Sequence, residues 1–245
     1  MNTPSQTIVL IHGYGFDDRT WNPVELAFDG YDVLRLRLPG FGNDTITSPY
    51  TIESLAEHFW KELDLRANSV VHLVGHSMGG YVCMEMLGQQ PDRVSSLCLI
   101  HSHVFADADE KKKARTGVLE EIRSAGREAF VRRMITSMVY QGDQKKAFVE
   151  QLIARGLHYD DDAWYNGTQA IRDRKDHEET LKNFSGPCAI IMGEADTAVP
   201  LALGHKQAAL IAQGNLITYP EVGHLAMYEN TAQLIDDLVT FYSGQ

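Results

Sequence analysis

Several things are scarce or missing in this chain, and each shortage excludes something. No run of about 18 apolar residues occurs, so no transmembrane helix is expected. The first six residues, Met1 to Gln6, are polar and contain no apolar core of a leader peptide, so no secretory signal is expected. Only three cysteines, Cys83, Cys98 and Cys188, occur in 245 residues. All lie in apolar stretches, which fits buried free thiols in a reducing cytoplasm better than a disulfide framework or a metal site. Positive charge is short, with 22 Lys and Arg against 33 Asp and Glu and a formal net charge of −11. Such a surface repels phosphate and argues against a nucleic-acid partner. There is no G-x-G-x-x-G and no Walker pattern. His101-Ser102-His103 lacks a third ligand at metal spacing. The expectation is therefore a cytoplasmic protein with no metal, cofactor, nucleic-acid or membrane partner, acting on a small molecule. Internal repeats and low-complexity segments are also absent.

What the chain does have is apolar residues, 44% of the total, enough for one large α/β domain with an insertion. Six short apolar runs read as strands: Thr7 to Ile11, Tyr31 to Leu38, Val70 to Val74, Ser95 to His101, Pro187 to Met192 and Asn215 to Tyr219. Between them fall helical patterns, including Ile52 to Asp64, with Thr51 as its N-cap, and Ala226 to Phe241. Strands alternating with helices predict a mostly parallel sheet of about six strands with helices on both faces. The alternation breaks after the fourth strand. Residues 103–185 read as helices over Asp107 to Ser124, Arg127 to Tyr140, Asp143 to Leu157 and Asp161 to Arg174. Asp107 with Glu110 resembles a capping box, and Gly126, Gly142 and Gly156 fall at stops. About 80 residues far exceeds one crossover. We therefore expect a helical cap over the carboxyl ends of the strands, with residues 1–102 and 186–245 forming the core.

One stretch organises the rest. Gly75-His76-Ser77-Met78-Gly79 stands between the third strand and a helix beginning near Tyr81. A serine in G-x-S-x-G at such a turn is a nucleophile elbow. The turn is tight enough to force strained backbone angles on Ser77 and to lift its hydroxyl above the sheet. Gly75 and Gly79 leave room for the neighbouring strand and helix. The helix N-terminus offers the Met78 N–H to an anion forming beside Ser77.

Taken in order, the strand ends carry His12-Gly13-Tyr14-Gly15, Arg37-Leu38-Pro39-Gly40-Phe41-Gly42, Gly75 to Gly80, Gly193-Glu194-Ala195-Asp196 and Gly223-His224. With these five pieces the chain resembles the α/β-hydrolase family over nearly its whole length. Two departures stand out. Only six residues precede Thr7, so the family's leading antiparallel strand pair is not expected. Arg37 occupies the place of an aspartate common before the turn proline, which bears on local packing.

The resemblance implies a catalytic Ser77, Asp196 and His224 in the family's order of nucleophile, acid and base. His12 competes for the base and Glu194 for the acid. For an oxyanion hole it implies the backbone N–H groups of Tyr14 and Met78. His72 and His76 read as packing or polar-network residues. His101 and His103 line the site floor or serve structure alone. The implied reaction is hydrolysis of a small ester through an acyl-enzyme, as in a carboxylesterase. C–C bond hydrolysis of a diketone-like substrate is an alternative, and non-catalytic ligand binding on the same fold is another. Phe105, Phe130, Met134, Met138, Tyr140, Trp164 and Tyr165 read as pocket lining or as cap core. Arg172 and Arg174 read as carboxylate ligands or as solvated helix charge. Ser77, Tyr14 and Met78 precede the insertion, whereas Asp196 and His224 follow it. Removing the insertion is therefore expected to change selectivity more than reactivity.

Overall fold

The computed structural model describes residues 7–42, 49–66, 70–211 and 214–243; the leader reading at Met1 to Gln6 lies outside them. The elements run β1 (Thr7–Ile11), β2 (Asp32–Leu36), α1 (Ile52–Leu65), β3 (Val71–His76), α2 (Met78–Gln89) and β4 (Val94–Ile100). Next come five consecutive helices, α3 (Asp109–Ala125), α4 (Glu128–Met138), α5 (Lys146–Gly156), α6 (Asp161–Arg172) and α7 (Glu178–Lys182). The chain finishes with β5 (Cys188–Gly193), α8 (Leu201–Ala208), β6 (Gly214–Tyr219), α9 (Ala226–Glu229) and α10 (Thr231–Ser243).

The six strands form one parallel sheet in the order β2-β1-β3-β4-β5-β6. Side chains alternate across it, as strand geometry requires. Val9, Ile11, Leu73, Leu99 and Ile190 pack with α1 and α2 on one face; Ile8, Leu10, Val74, Ile100 and Ile191 pack with Trp21 and α10 on the other. Cys83, Cys98 and Cys188 are buried free thiols. Among the described residues no helix is long and apolar enough to cross a membrane.

Strand order reverses between β1 and β3, and a crevice at the carboxyl ends of such a pair is where open α/β sheets bind ligands. Ile11 and Gly75 are register partners there, so the loop after β1 lies against the turn after β3.

Three local readings needed correction, and one element was missed. Asp107 caps no helix: α3 is preceded by Ala108, with no side-chain cap bond. The Asp107 carboxylate is taken instead by Arg115 and Arg174, stronger donors than backbone N–H groups. The last helix is two, α9 and α10, separated at Asn230. Gly142 follows α4 by several residues and ends no helix; a side chain there would meet the Thr136 carbonyl at 2.3 Å. A 3₁₀ segment, Asp18–Phe28, was not expected. It buries Thr20, Trp21, Val24, Ala27 and Phe28, with Pro23 inside it.

Candidate active site

Ser77 adopts φ 51° and ψ −117°, the strained backbone expected of the elbow. The glycines explain how the turn fits. A Cβ at Gly75 would lie 2.5 Å from the Gly80 backbone, and one at Gly79 would lie 2.1 Å from the Ile11 carbonyl oxygen. Ser102 Oγ donates to the Ser77 carbonyl at 2.8 Å, which ties the end of β4 to the elbow.

Tyr14 is held from the other side. Its hydroxyl donates to the Trp164 carbonyl (2.7 Å) and lies 2.6 Å from Thr168 Oγ1, both on α6. Asp17, buried in the same loop, accepts from Arg155 and from the Tyr159 hydroxyl. Among the described residues no acceptor takes the N–H of Tyr14 or of Met78, which leaves both groups available to a developing oxyanion.

His12 is occupied at both nitrogens. Nδ1 donates to the Gly13 carbonyl at 3.0 Å, and Nε2 accepts from the Leu38 N–H at 3.0 Å. Burial pushes its pKa down to about 4. It braces the loop after β1 and has no nitrogen left for a proton-transfer role. Glu194 is exposed and accepts from Thr218 Oγ1, so it does not compete with Asp196.

Asp196 and His224 meet at 2.7 Å between Oδ2 and Nδ1. Oδ1 of the aspartate accepts the N–H groups of Ala198 and Val199, both at 2.9 Å. Burial alone would raise the carboxyl pKa; the His224 charge interaction and the hydrogen bonds from His101 and His224 more than offset it and hold the group well below the usual range. A carboxylate fixed in this way keeps the His224 proton on Nδ1. Nε2 is buried and has no hydrogen-bond partner among the described residues, Ser77 included. Such contacts commonly tighten only when substrate is bound. Ser77, Tyr14 and His224 line one cavity of about 250 Å³.

Sequence reasoning missed three features. His101, with φ 49° at the end of β4, is a second imidazole on Asp196, at 3.1 Å from Oδ2. The Ala226 N–H donates to its Nε2; Nδ1 lies 3.1 Å from Asp196 Oδ2 and 3.3 Å from the Gly193 nitrogen, and a proton on Nδ1 satisfies the shorter, carboxylate contact. His101, Asp196 and His224 thus bring metal-type donor atoms within 4.8 Å of one another; hydrogen bonding accounts for the grouping. Second, the insertion reaches the histidine loop. The His224 N–H donates to the Met138 carbonyl at 2.7 Å, and Glu229 accepts from the N–H groups of Tyr140 and Gly223. Third, Lys111 and Arg115 of α3 line the cavity. The usable signal was the placement of these residues at strand ends or on one face of an insertion helix; no motif marks them.

Of the aromatic and methionine residues weighed as lining, Phe130, Met134 and Met138 face the cavity, while Trp164 is buried in the core. Arg174 is buried, bound to Asp107 and to the carbonyls of Ile171 and Phe105. Arg172 pairs with Asp173. His76 donates through Nε2 to the His224 carbonyl at 2.9 Å, and His72 contacts Ser96 Oγ in the core. His103 contacts Tyr81, Arg174 and the Phe105 N–H. A larger depression of about 470 Å³, around Leu87, Pro91 and Phe184, contains none of the site residues.

Comparison with known proteins is consistent in fold. A model of the alpha/beta hydrolase family matches residues 8–237. The chain is 25% identical over 244 residues to the biotin biosynthesis bifunctional protein BioHC of Cellvibrio japonicus, covering 96% of this chain and 47% of that protein. It is 27% identical over 240 residues to the dihydrolipoyllysine-residue acetyltransferase component of the acetoin cleaving system of Pseudomonas putida, covering 96% of this chain and 62% of that one. The chain thus spans about half to three fifths of the length of these curated relatives. The solved structure of a thermophilic esterase from Thermogutta terrifontis superposes with a TM-score of 0.89 at 23% identity, covering 98% of this chain and 90% of that one.

Proposed function

The chain belongs to the α/β-hydrolase family, and from that premise we propose that it is a serine hydrolase that cleaves a small ester-type substrate through an acyl-enzyme on Ser77. The observation that carries this reading is the state of His224. Its Nδ1 is held by Asp196, while Nε2 is unpartnered beside the cavity that Ser77 lines. Nε2 takes the Ser77 proton as Oγ attacks the carbonyl carbon. The N–H groups of Tyr14 and Met78 stabilise the oxyanion, and the loss of one such donor typically costs about 2.7–4 kcal/mol. His224 then protonates the leaving alcohol. Water, deprotonated by the same nitrogen, attacks the acyl-enzyme and releases the acid. No step calls for a metal or cofactor.

We assign residues 103–185 the role of a cap over the core formed by 1–102 and 186–245. Phe130, Met134, Met138 and Ile171 of this insertion line the Ser77 cavity, which supports a part in selecting substrates. At about 250 Å³ the cavity lies just under the range of drug-sized pockets, which begins at roughly 300 Å³; this supports a small substrate. Turnover of p-nitrophenyl acetate and longer p-nitrophenyl esters tests the reading. Hydrolysis that falls steeply with acyl length and vanishes in Ser77→Ala is expected. Turnover of a C–C substrate with none of the esters would overturn it.

A further inference from the structure

The wall of the Ser77 cavity mixes apolar side chains with the hydroxyls of Ser137, Thr197 and Tyr81 and with two cations. Phe130, Met134, Met138, Ile171, Ala198 and Val199 supply the apolar part, and among the described residues Lys111 and Arg115 are the two cationic side chains that line it. Both cations lie on α3, one turn apart. Like charges four residues apart on a helix repel each other, so the helix holds this pair against its own preference.

Their countercharge is incomplete. Asp107 is the one carboxylate bound to this group, and it is shared between Arg115 Nε and Arg174 Nη2. Arg174 is engaged by Asp107, by two carbonyls and by the face of Tyr81. Arg115 uses only Nε; among the described residues nothing accepts from its two terminal nitrogens, and nothing accepts from Lys111 Nζ. Asp196, the nearest catalytic carboxylate, already receives two imidazole N–H groups. Three cations, Lys111, Arg115 and Arg174, therefore share one carboxylate, that of Asp107, in a chain whose overall charge is −11. Lys111 is exposed as a residue; partial desolvation first, and then the Arg115 charge, push its pKa down, a penalty that an arriving anion relieves.

We propose that Lys111 and Arg115 form a carboxylate subsite within the Ser77 cavity, so that the preferred substrate is a small ester bearing a free carboxylate away from the scissile bond, such as a half-ester of a short dicarboxylic acid. The terminal guanidinium nitrogens suit the two carboxylate oxygens, Lys111 adds a point charge, and the apolar wall takes the intervening methylenes. The inference rests on the ester-hydrolase reading above and narrows it.

The test is the ratio of kcat/KM for monomethyl glutarate to that for methyl pentanoate, a neutral ester of matching length. The wild-type ratio is expected to exceed about tenfold, carried mostly by KM, and to fall as salt is raised. Lys111→Met is expected to cut the ratio several-fold and Lys111→Glu to bring it below one. A wild-type ratio near one, or a ratio unchanged in Lys111→Glu, overturns the subsite. Fluorophosphonate labelling of Ser77 with no preference between the esters rejects the subsite and leaves the hydrolase reading standing. If neither ester turns over, calorimetric binding of monomethyl glutarate to Ser77→Ala decides the point. Binding lost in Ser77→Ala/Lys111→Glu supports the subsite; absent binding, or equal binding by the two proteins, rejects it.

Discussion

The backbone N–H of His224 donates to the carbonyl of Met138 at 2.7 Å. A residue of the helical insertion therefore holds the histidine in place, although every side chain of the proposed machinery lies outside that insertion. Gly223 makes the approach possible, since a Cβ there would stand 2.3 Å from the Met138 carbonyl oxygen and 2.7 Å from the Tyr140 nitrogen.

Gly223→Ala is accordingly expected to push the insertion away from the histidine loop. A displacement of this kind lowers kcat on the order of tenfold to a hundredfold, with a smaller effect on KM. Deleting residues 103–185 is expected to slow Ser77 labelling as well as to flatten selectivity, because the deletion removes both Met138 and the α6 anchors of Tyr14. Stopped-flow or steady-state kinetics with p-nitrophenyl acetate checks the first expectation, and labelling rates check the second. Unchanged kcat in a folded Gly223→Ala protein would show that the Met138 contact does not position His224.

Tyr14→Phe removes the hydroxyl that joins the loop after β1 to Trp164 and Thr168. Leaving buried polar groups unsatisfied costs about 1–3 kcal/mol, which for a chain of this size lowers Tm by roughly 2–4 °C per kcal/mol. Because the N–H of the same residue is proposed to bind the oxyanion, kcat is expected to fall as well. Differential scanning calorimetry alongside kinetics checks both; a lower Tm with kcat intact would confine the hydroxyl to a structural role.

How much of this was legible beforehand depended on whether the information was local. The elbow at Ser77 is written in consecutive residues, because the glycines that a tight turn demands must be its neighbours. The strands and most helices followed from periodicity, and the Thr51 cap was recovered, with Ser54 as its reciprocal partner. The Asp18–Phe28 segment was missed because Pro23 in its interior reads against a helix. Asp107 was misread because two guanidiniums, one of them 67 residues further on, decide its partner. His101 reaches Asp196 across 95 residues and Met138 reaches His224 across 86; only the strand order brings them together.

Acid should destabilise the protein earlier than carboxylate titration alone would. Burial lowers His12 from 6.5 to about 4 and lowers His76 and His101 as well. Between those values the unfolded chain binds protons that the folded one refuses, so stability falls as pH drops. For His12 alone the effect approaches ~3 kcal/mol. Asp196 is held low, so its contribution is present above the ordinary carboxylate pKa and is lost only as pH falls through its own lower value. Urea unfolding between pH 6.5 and 4.5 is expected to give a stability slope in His12→Gln that is shallower by ~2–3 kcal/mol over the interval. Parallel curves for the two proteins would contradict the role assigned to the buried imidazole.

Chelation is expected to leave turnover unchanged, since hydrogen bonds at 2.7 and 3.1 Å account for the grouping of His101, Asp196 and His224. Loss of activity on EDTA treatment, with recovery on adding zinc, would mean that the group holds a cation instead.

The central claim is that Ser77 is a nucleophile activated by His224. Intact-mass analysis after exposure to a fluorophosphonate tests it most directly. The account predicts one adduct, mapped to Ser77, on the wild-type protein, none on Ser77→Ala, and labelling slowed about 100-fold or more in His224→Gln. Absence of an adduct on the wild-type protein, or an equal adduct on Ser77→Ala, would contradict it.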